Sequence, residues 1–252
     1  EALQPGARYV ALGSSFAAGP GVPEPTGSCG RSDSNYANLV ANALELSLTD
    51  VSCNGATTDN IRHTPQNGAA PQIDAVTDQT MLVTVTIGGN DINYTSSTFA
   101  CAGTPANDQC TANLDQEAIA DAVDQLPGKL AATIDAIRDN APQATVVLVT
   151  YPRVFPVDAI NCEELELSPQ DTRYLAALGQ TLEDIFVSVS ASKQILIADA
   201  YVLAAGHGPC ATPVSERWVA GNVVASSGIR YHPTAEGHEE MARLVLAALN
   251  RD

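Results

Sequence analysis

Four short segments carry residues that could act together on a carbonyl carbon. Gly13-Ser14-Ser15-Phe16-Ala17-Ala18-Gly19 follows an apolar run and places a serine where a strand would turn into a helix. Unpaired N–H groups at such a turn favour an oxyanion forming beside the hydroxyl, which makes Ser15 a candidate nucleophile; the plainer role is a helix cap. Cys53-Asn54-Gly55-Ala56-Thr57-Thr58 offers a glycine whose backbone N–H can approach a ligand closely, or simply a tight turn. In Gly88-Gly89-Asn90-Asp91 the Asn90 amide can donate to an oxyanion, and Asp91 can hold the loop by accepting backbone N–H groups. Ordinary turn chemistry uses the same residues. Tyr231-His232-Pro233-Thr234 puts an imidazole at what reads as a helix start, where it could take a proton from a serine at neutral pH. Taken singly, each has a structural explanation.

The elements around these segments would bring them to one place. Val/Ile/Leu-rich runs at Arg8–Leu12, Ser47–Ser52, Met81–Ile87, Thr145–Thr150 and Gln194–Ala198 read as strands buried on both faces. Helical spacing fills the intervals: Asn35–Leu46, Leu114–Arg138 with Pro127-Gly128 expected to kink or split it, a helix opened by the Ser168-Pro169-Gln170-Asp171 cap, and Pro233–Ala248. Strands alternating with helices imply right-handed crossovers and a parallel sheet covered on both sides. Five strands fit a flavodoxin-like, doubly wound α/β sandwich over residues 1–252 as one domain, rather than an eight-stranded barrel. Ligands in such sheets sit beyond the carboxyl ends of the strands, just after Leu12, Ser52, Ile87 and Thr150. The stretches Gly19–Arg31, Thr95–Gln109 and Gly206–Gly228 read as long loops, which are often functional.

Composition narrows the partners. The 252 residues carry 12 Lys+Arg against 29 Asp+Glu, a formal charge of −17. Such a field argues against a nucleic-acid backbone and against polybasic docking on anionic lipid. No apolar run reaches the ~18 residues of a membrane helix. Six cysteines with no C-x-x-C pair suggest disulfides and an oxidising, extracellular compartment rather than a zinc site. Many connectivities are open for six cysteines, and sequential pairing is favoured because each couple brackets a loop-rich segment. Glu1 reads as a mature N-terminus after signal removal. The four histidines show no spacing for a metal, so neither metal nor cofactor is expected. Nothing argues for more than a monomer.

In order and spacing, GSSFAAG, CNGATT, IGGND and YHPTAEGH resemble the four blocks of the SGNH (GDSL-type) hydrolases. With Cys29-Gly30-Arg31-Ser32 and Asn35-Tyr36, the chain is most similar to the secreted actinobacterial esterase and lipase branch. The resemblance implies Ser15 as nucleophile and His232 as general base. It assigns the oxyanion hole to the Ser15 and Gly55 backbone N–H groups and the Asn90 side chain. It also implies the pairs Cys29–Cys53, Cys101–Cys110 and Cys162–Cys210.

Two departures from that pattern stand out. Position 14 holds serine where the block usually has aspartate, removing a carboxylate that would tie down the nucleophile turn. Ile229 stands three residues before His232, where most members have an acid. Some members of the branch resemble this chain in using a main-chain carbonyl there, so the Ile229 C=O is expected to accept from His232 Nδ1–H; Asp199 and Glu236 are weighed as acids of a triad. The implied chemistry is ester hydrolysis through an acyl-serine. Aromatics are only 5%, with one tryptophan, so a stacked platform for sugars is not evident. Phospholipase A-type activity, carbohydrate deacetylation, or a decayed site in a secreted binding protein remain as alternatives.

Overall fold

Why the strands are continuous apolar runs becomes plain in the computed structural model, which describes residues 3–23, 25–103, 110–158 and 162–250. Five parallel strands form one sheet: β1 (Arg8–Gly13), β4 (Ser47–Asp50), β5 (Thr80–Thr86), β6 (Thr145–Val149) and β7 (Leu196–Ala198), in the order β4-β1-β5-β6-β7. A two-stranded antiparallel ribbon, β2 (Pro25–Thr26) and β3 (Arg31–Ser32), stands apart from it. On one face, Tyr9, Ala11, Val147 and Val149 pack against Val40 of α2 (Tyr36–Leu44) and Met241 and Val245 of α8 (Ala235–Leu249). On the other, Val10, Leu12, Val83, Val85 and Leu148 meet Ile61 of α3 (Thr58–Arg62), Leu130 and Ile134 of α5 (Gln116–Asn140), and Leu182 and Phe186 of α6 (Pro169–Lys193). Three short helices, α1 (Ser15–Ala18), α4 (Tyr94–Cys101) and α7 (Ala200–Leu203), follow β1, β5 and β7. This is the expected doubly wound α/β sandwich, with strand order reversing beside β1, the switch point where ligands bind.

Three expectations need correction. Helix α5 is not split at Pro127 but continues through it to Asn140. An interior proline costs about 3 kcal/mol, but Leu126, Leu130, Ile134 and Ile137 are all buried on one stripe. Each such side chain returns roughly 1.5–3 kcal/mol on burial, so packing outweighs the break. The stretch expected as a loop from Thr95 begins inside α4, while residues 104–109 lie outside the described residues. The last helix starts two residues later than Pro233: Thr234 is its cap, with the side chain accepting from Gly237 N–H.

The three disulfides join Cys29 to Cys53, Cys101 to Cys110 and Cys162 to Cys210, the sequential pairing.

Candidate active site

At the end of β1 the chain must turn sharply, and Gly13 makes this possible: its φ is +153°, and a Cβ there would lie 2.5 Å from the Thr86 carbonyl. The Gln72 side-chain amide clamps this glycine from the other side. Gly13 N–H donates to Gln72 Oε1 at 2.8 Å, and Gln72 Nε2 donates to the Gly13 carbonyl at 3.0 Å, as a neighbouring strand would. Ser14 N–H donates to Thr86 O at 2.9 Å. Ser15 then opens α1, with its backbone N–H taken by no acceptor among the described residues.

His232 arrives from the other end of the chain. Its Nε2 lies 2.8 Å from Ser15 Oγ, and its Nδ1 lies 2.8 Å from the Arg230 carbonyl oxygen. A carbonyl can only accept, so Nδ1 carries the proton and Nε2 presents its lone pair to the serine hydroxyl. The carbonyl is therefore that of Arg230, not Ile229. The Ile229 carbonyl accepts the His232 backbone N–H at 3.1 Å, which closes the turn and directs it away from the ring. Neither Asp199 nor Glu236 takes that place: Asp199 caps α7 through Val202 N–H, and Glu236 lies in the first turn of α8. Tyr231 sits in the left-handed region at φ 58°, and its hydroxyl donates to the Leu165 carbonyl at 2.5 Å, fixing the strained residue that aims the imidazole.

The base is dry. His232 is 1% exposed and Ser15 2%. The Phe16 ring lies 4.7 Å from the imidazole, and the Phe99 ring stacks near-parallel at 6.0 Å, with the Arg230 guanidinium 5.3 Å above Phe99. Burial depresses the His232 pKa to about 4, against a smaller opposing effect of the Arg230 carbonyl.

The candidate oxyanion donors follow the next two strand ends. Gly55 takes a left-handed φ of 81°, and its N–H likewise has no acceptor among the described residues. Asn90 Nδ2 donates to Ala56 O at 2.8 Å, tying the β5 loop to the Gly55 loop and leaving its second N–H for a ligand. Asp91 holds the same loops together, accepting from Thr58 N–H at 3.0 Å and Thr58 Oγ1 at 2.5 Å. The geometry thus joins Ser15 to His232 and the Asn90 loop to the Gly55 loop, with the Arg230 carbonyl rather than that of Ile229 on the imidazole.

Other residues at the site were not singled out. Tyr151 lies just beyond β6, at a strand end already marked for chemistry, and its hydroxyl touches Ser14. Gln72 and Phe99 carry no local signal, because each reaches the site from a distant turn or helix. Two further histidines are structural. His238 is fully buried, with Nδ1 accepting from Tyr36 N–H at 3.2 Å and its pKa pushed down to about 3 by burial. His207 stacks face to face on Trp218, ring centroids 4.0 Å apart.

A parallel α/β sheet with a serine–imidazole hydrogen bond above its strand ends is the arrangement of a serine ester hydrolase. A profile of the GDSL-like lipase/acylhydrolase family matches residues 11–240, and the chain belongs to that family. It is 32% identical to Lipase 2 of Streptomyces coelicolor over 259 residues, covering 97% of this chain and 86% of that one. Among solved structures it is similar to an extracellular lipase from Streptomyces rimosus, with a TM-score of 0.79, 27% identity and coverage of 96% and 99%. The fold is also that of a phospholipase A1 from Streptomyces albidoflavus, with a TM-score of 0.76, 23% identity and coverage of 96% and 99%.

Proposed function

We propose that this enzyme is a secreted hydrolase of lipid-type carboxylic esters working through an acyl-serine, with a Ser15–His232 dyad oriented by a main-chain carbonyl. The observation that carries the reading is the continuous chain Ser15 Oγ, His232 Nε2, His232 Nδ1 and Arg230 O, 2.8 Å at each hydrogen bond. As Ser15 Oγ bonds to the ester carbon, its proton passes to His232 Nε2 and the carbonyl π electrons move to oxygen. The Ser15 N–H, Gly55 N–H and Asn90 amide stabilise that oxyanion. Collapse expels the alcohol, which takes the proton from Nε2. Water then enters by the same route in reverse: its proton goes to Nε2, its oxygen to the acyl carbon, and the proton returns to Ser15 as the acid departs. The lipases it resembles support an acyl ester as substrate. Three disulfides, and an S. rimosus relative described as extracellular, support secretion.

The test is intact mass after exposure to a fluorophosphonate probe, with peptide mapping and a His232→Ala control. One adduct per chain on Ser15, lost in the control, is the expected result. No adduct on fully disulfide-bonded protein, or an adduct on Ser14, overturns the assignment.

A further inference from the structure

Position 14 lies directly before the proposed nucleophile, and this chain has a hydroxyl there in place of a carboxylate. The hydroxyl is not idle: Ser14 Oγ lies 3.0 Å from Tyr151 Oη, both residues being buried. The same phenolic oxygen accepts the Gly89 N–H at 3.2 Å. That approach is built into the chain, because a Cβ on Gly89 would lie 2.9 Å from the Tyr151 ring. With its oxygen accepting from Gly89, the phenol spends its one proton usefully only by donating to Ser14 Oγ. Tyr151 therefore touches the neighbour of Ser15 and the neighbour of Asn90 through one atom. Its ring packs 4.3 Å from Phe16, whose ring also faces the His232 imidazole at 4.7 Å.

We propose that Tyr151 is a positioning residue that sets Ser15 and Asn90 in register with each other, holding the nucleophile turn where a carboxylate at position 14 would otherwise do so. The inference rests on the proposed roles of Ser15, Asn90 and His232. Several physical facts favour it. Ser14 and Gly89 belong to turns from different strands, β1 and β5, so a single buried bridge between them fixes a distance that neither turn fixes alone. A phenol is a better donor to a neutral hydroxyl than an aliphatic alcohol, and burial pushes the Tyr151 pKa up to about 12, so the proton stays in place wherever the imidazole acts as a base. Reaction requires the attacked carbon to meet Ser15 Oγ and its oxygen to meet Asn90 together, and misplacement by 1 Å costs on the order of 100-fold in rate.

Tyr151→Phe removes the bridging oxygen and keeps the ring. With a p-nitrophenyl ester, kcat is expected to fall about 10- to 100-fold while KM stays within about twofold, since the loss appears only in the transition state. Fluorophosphonate labelling of Ser15 slows in step with kcat. Ser14→Ala cuts one arm of the bridge and costs less, and Ser14→Ala/Tyr151→Phe is no worse than Tyr151→Phe alone. A wild-type kcat in Tyr151→Phe, a loss confined to KM, or losses that multiply in the double variant overturns the proposal. Should Tyr151→Phe fail to fold, Ser14→Ala alone reads the same contact: kcat falls with KM unchanged and Ser15 labelling slows in step, and a wild-type kcat overturns the proposal. Wild-type protein that gives no Ser15 adduct sinks the site assignment and this proposal together; labelled wild type with unaffected Tyr151→Phe sinks this proposal alone.

Discussion

His232 has an alcohol on one nitrogen and a peptide carbonyl on the other. In a triad, a full negative charge would hold the imidazolium stable and raise its pKa; a carbonyl dipole does so only partly. Together with burial, this leaves the base neutral well below its ordinary pKa of 6.5, to about 4. The acid limb of kcat/KM is therefore expected below pH 6.5, moving toward 4, in a pH–rate profile on a neutral ester. A limb at or above 6.5 would mean that a carboxylate reaches the ring after all. Stability moves the same way: the unfolded chain protonates His232 and His238 near 6.5, whereas the folded chain does so only near 4 and 3. Between those values the unfolded state binds more protons, so folding weakens as pH falls through this window. Side chains that do chemistry were legible because their types and spacing are unusual in combination. The Arg230 carbonyl was not, since every residue has one and only the turn decides which faces the ring. Tyr151 was half legible: its strand end was marked, but its partner lies 137 residues away.

At the scale of elements, placement of the His232 imidazole depends on how α8 begins. Its cap, Thr234, donates its N–H to the Trp218 carbonyl at 3.0 Å, and Pro233 bridges to Val219, so the His232 segment is stitched to a neighbouring strand-like run. Gly237 allows this approach, for a Cβ there would run into the Trp218 carbonyl. Gly237→Ala is expected to push α8 from Trp218, costing about 1–3 kcal/mol of stability as an overpacked contact and lowering kcat through His232. Thermal melts and ester turnover on the same preparation check it; an unchanged midpoint and rate would show that α8 yields without moving the base. Reading α8 from Pro233 placed His232 at the cap, because proline is favoured at the first helical position. Thr234 wins here through its hydrogen bond to Gly237 N–H. Strands β1, β5 and β6 were legible from apolarity, since burial on both faces leaves little room for polar residues, whereas the edge strand β4 is polar and partly exposed. Helix α4, Tyr-Thr-Ser-Ser-Thr-Phe-Ala-Cys, was not, because its composition resembles a loop and its packing on α6 comes from tertiary contact.

For the whole molecule, the charge of −17 sets which ester surfaces it can meet. With vesicles carrying a neutral ester, adding anionic phospholipid should reduce hydrolysis at low ionic strength, and added salt should restore it as the field is screened. Equal rates on neutral and anionic vesicles would mean that the approach surface is locally free of that field. Cross-links hold the other long segments: Cys29–Cys53 joins the chain beyond α1 to the Gly55 loop, and Cys162–Cys210 joins those beyond β6 and α7.

Trp218 is the chain's only indole, and it stands face to face with His207 while its own carbonyl anchors Thr234. The molecule thus carries a built-in optical probe with no competing emitter of its kind. Its fluorescence reports on the same few residues that hold the His232 segment in place, so loosening of that segment is expected to change its emission.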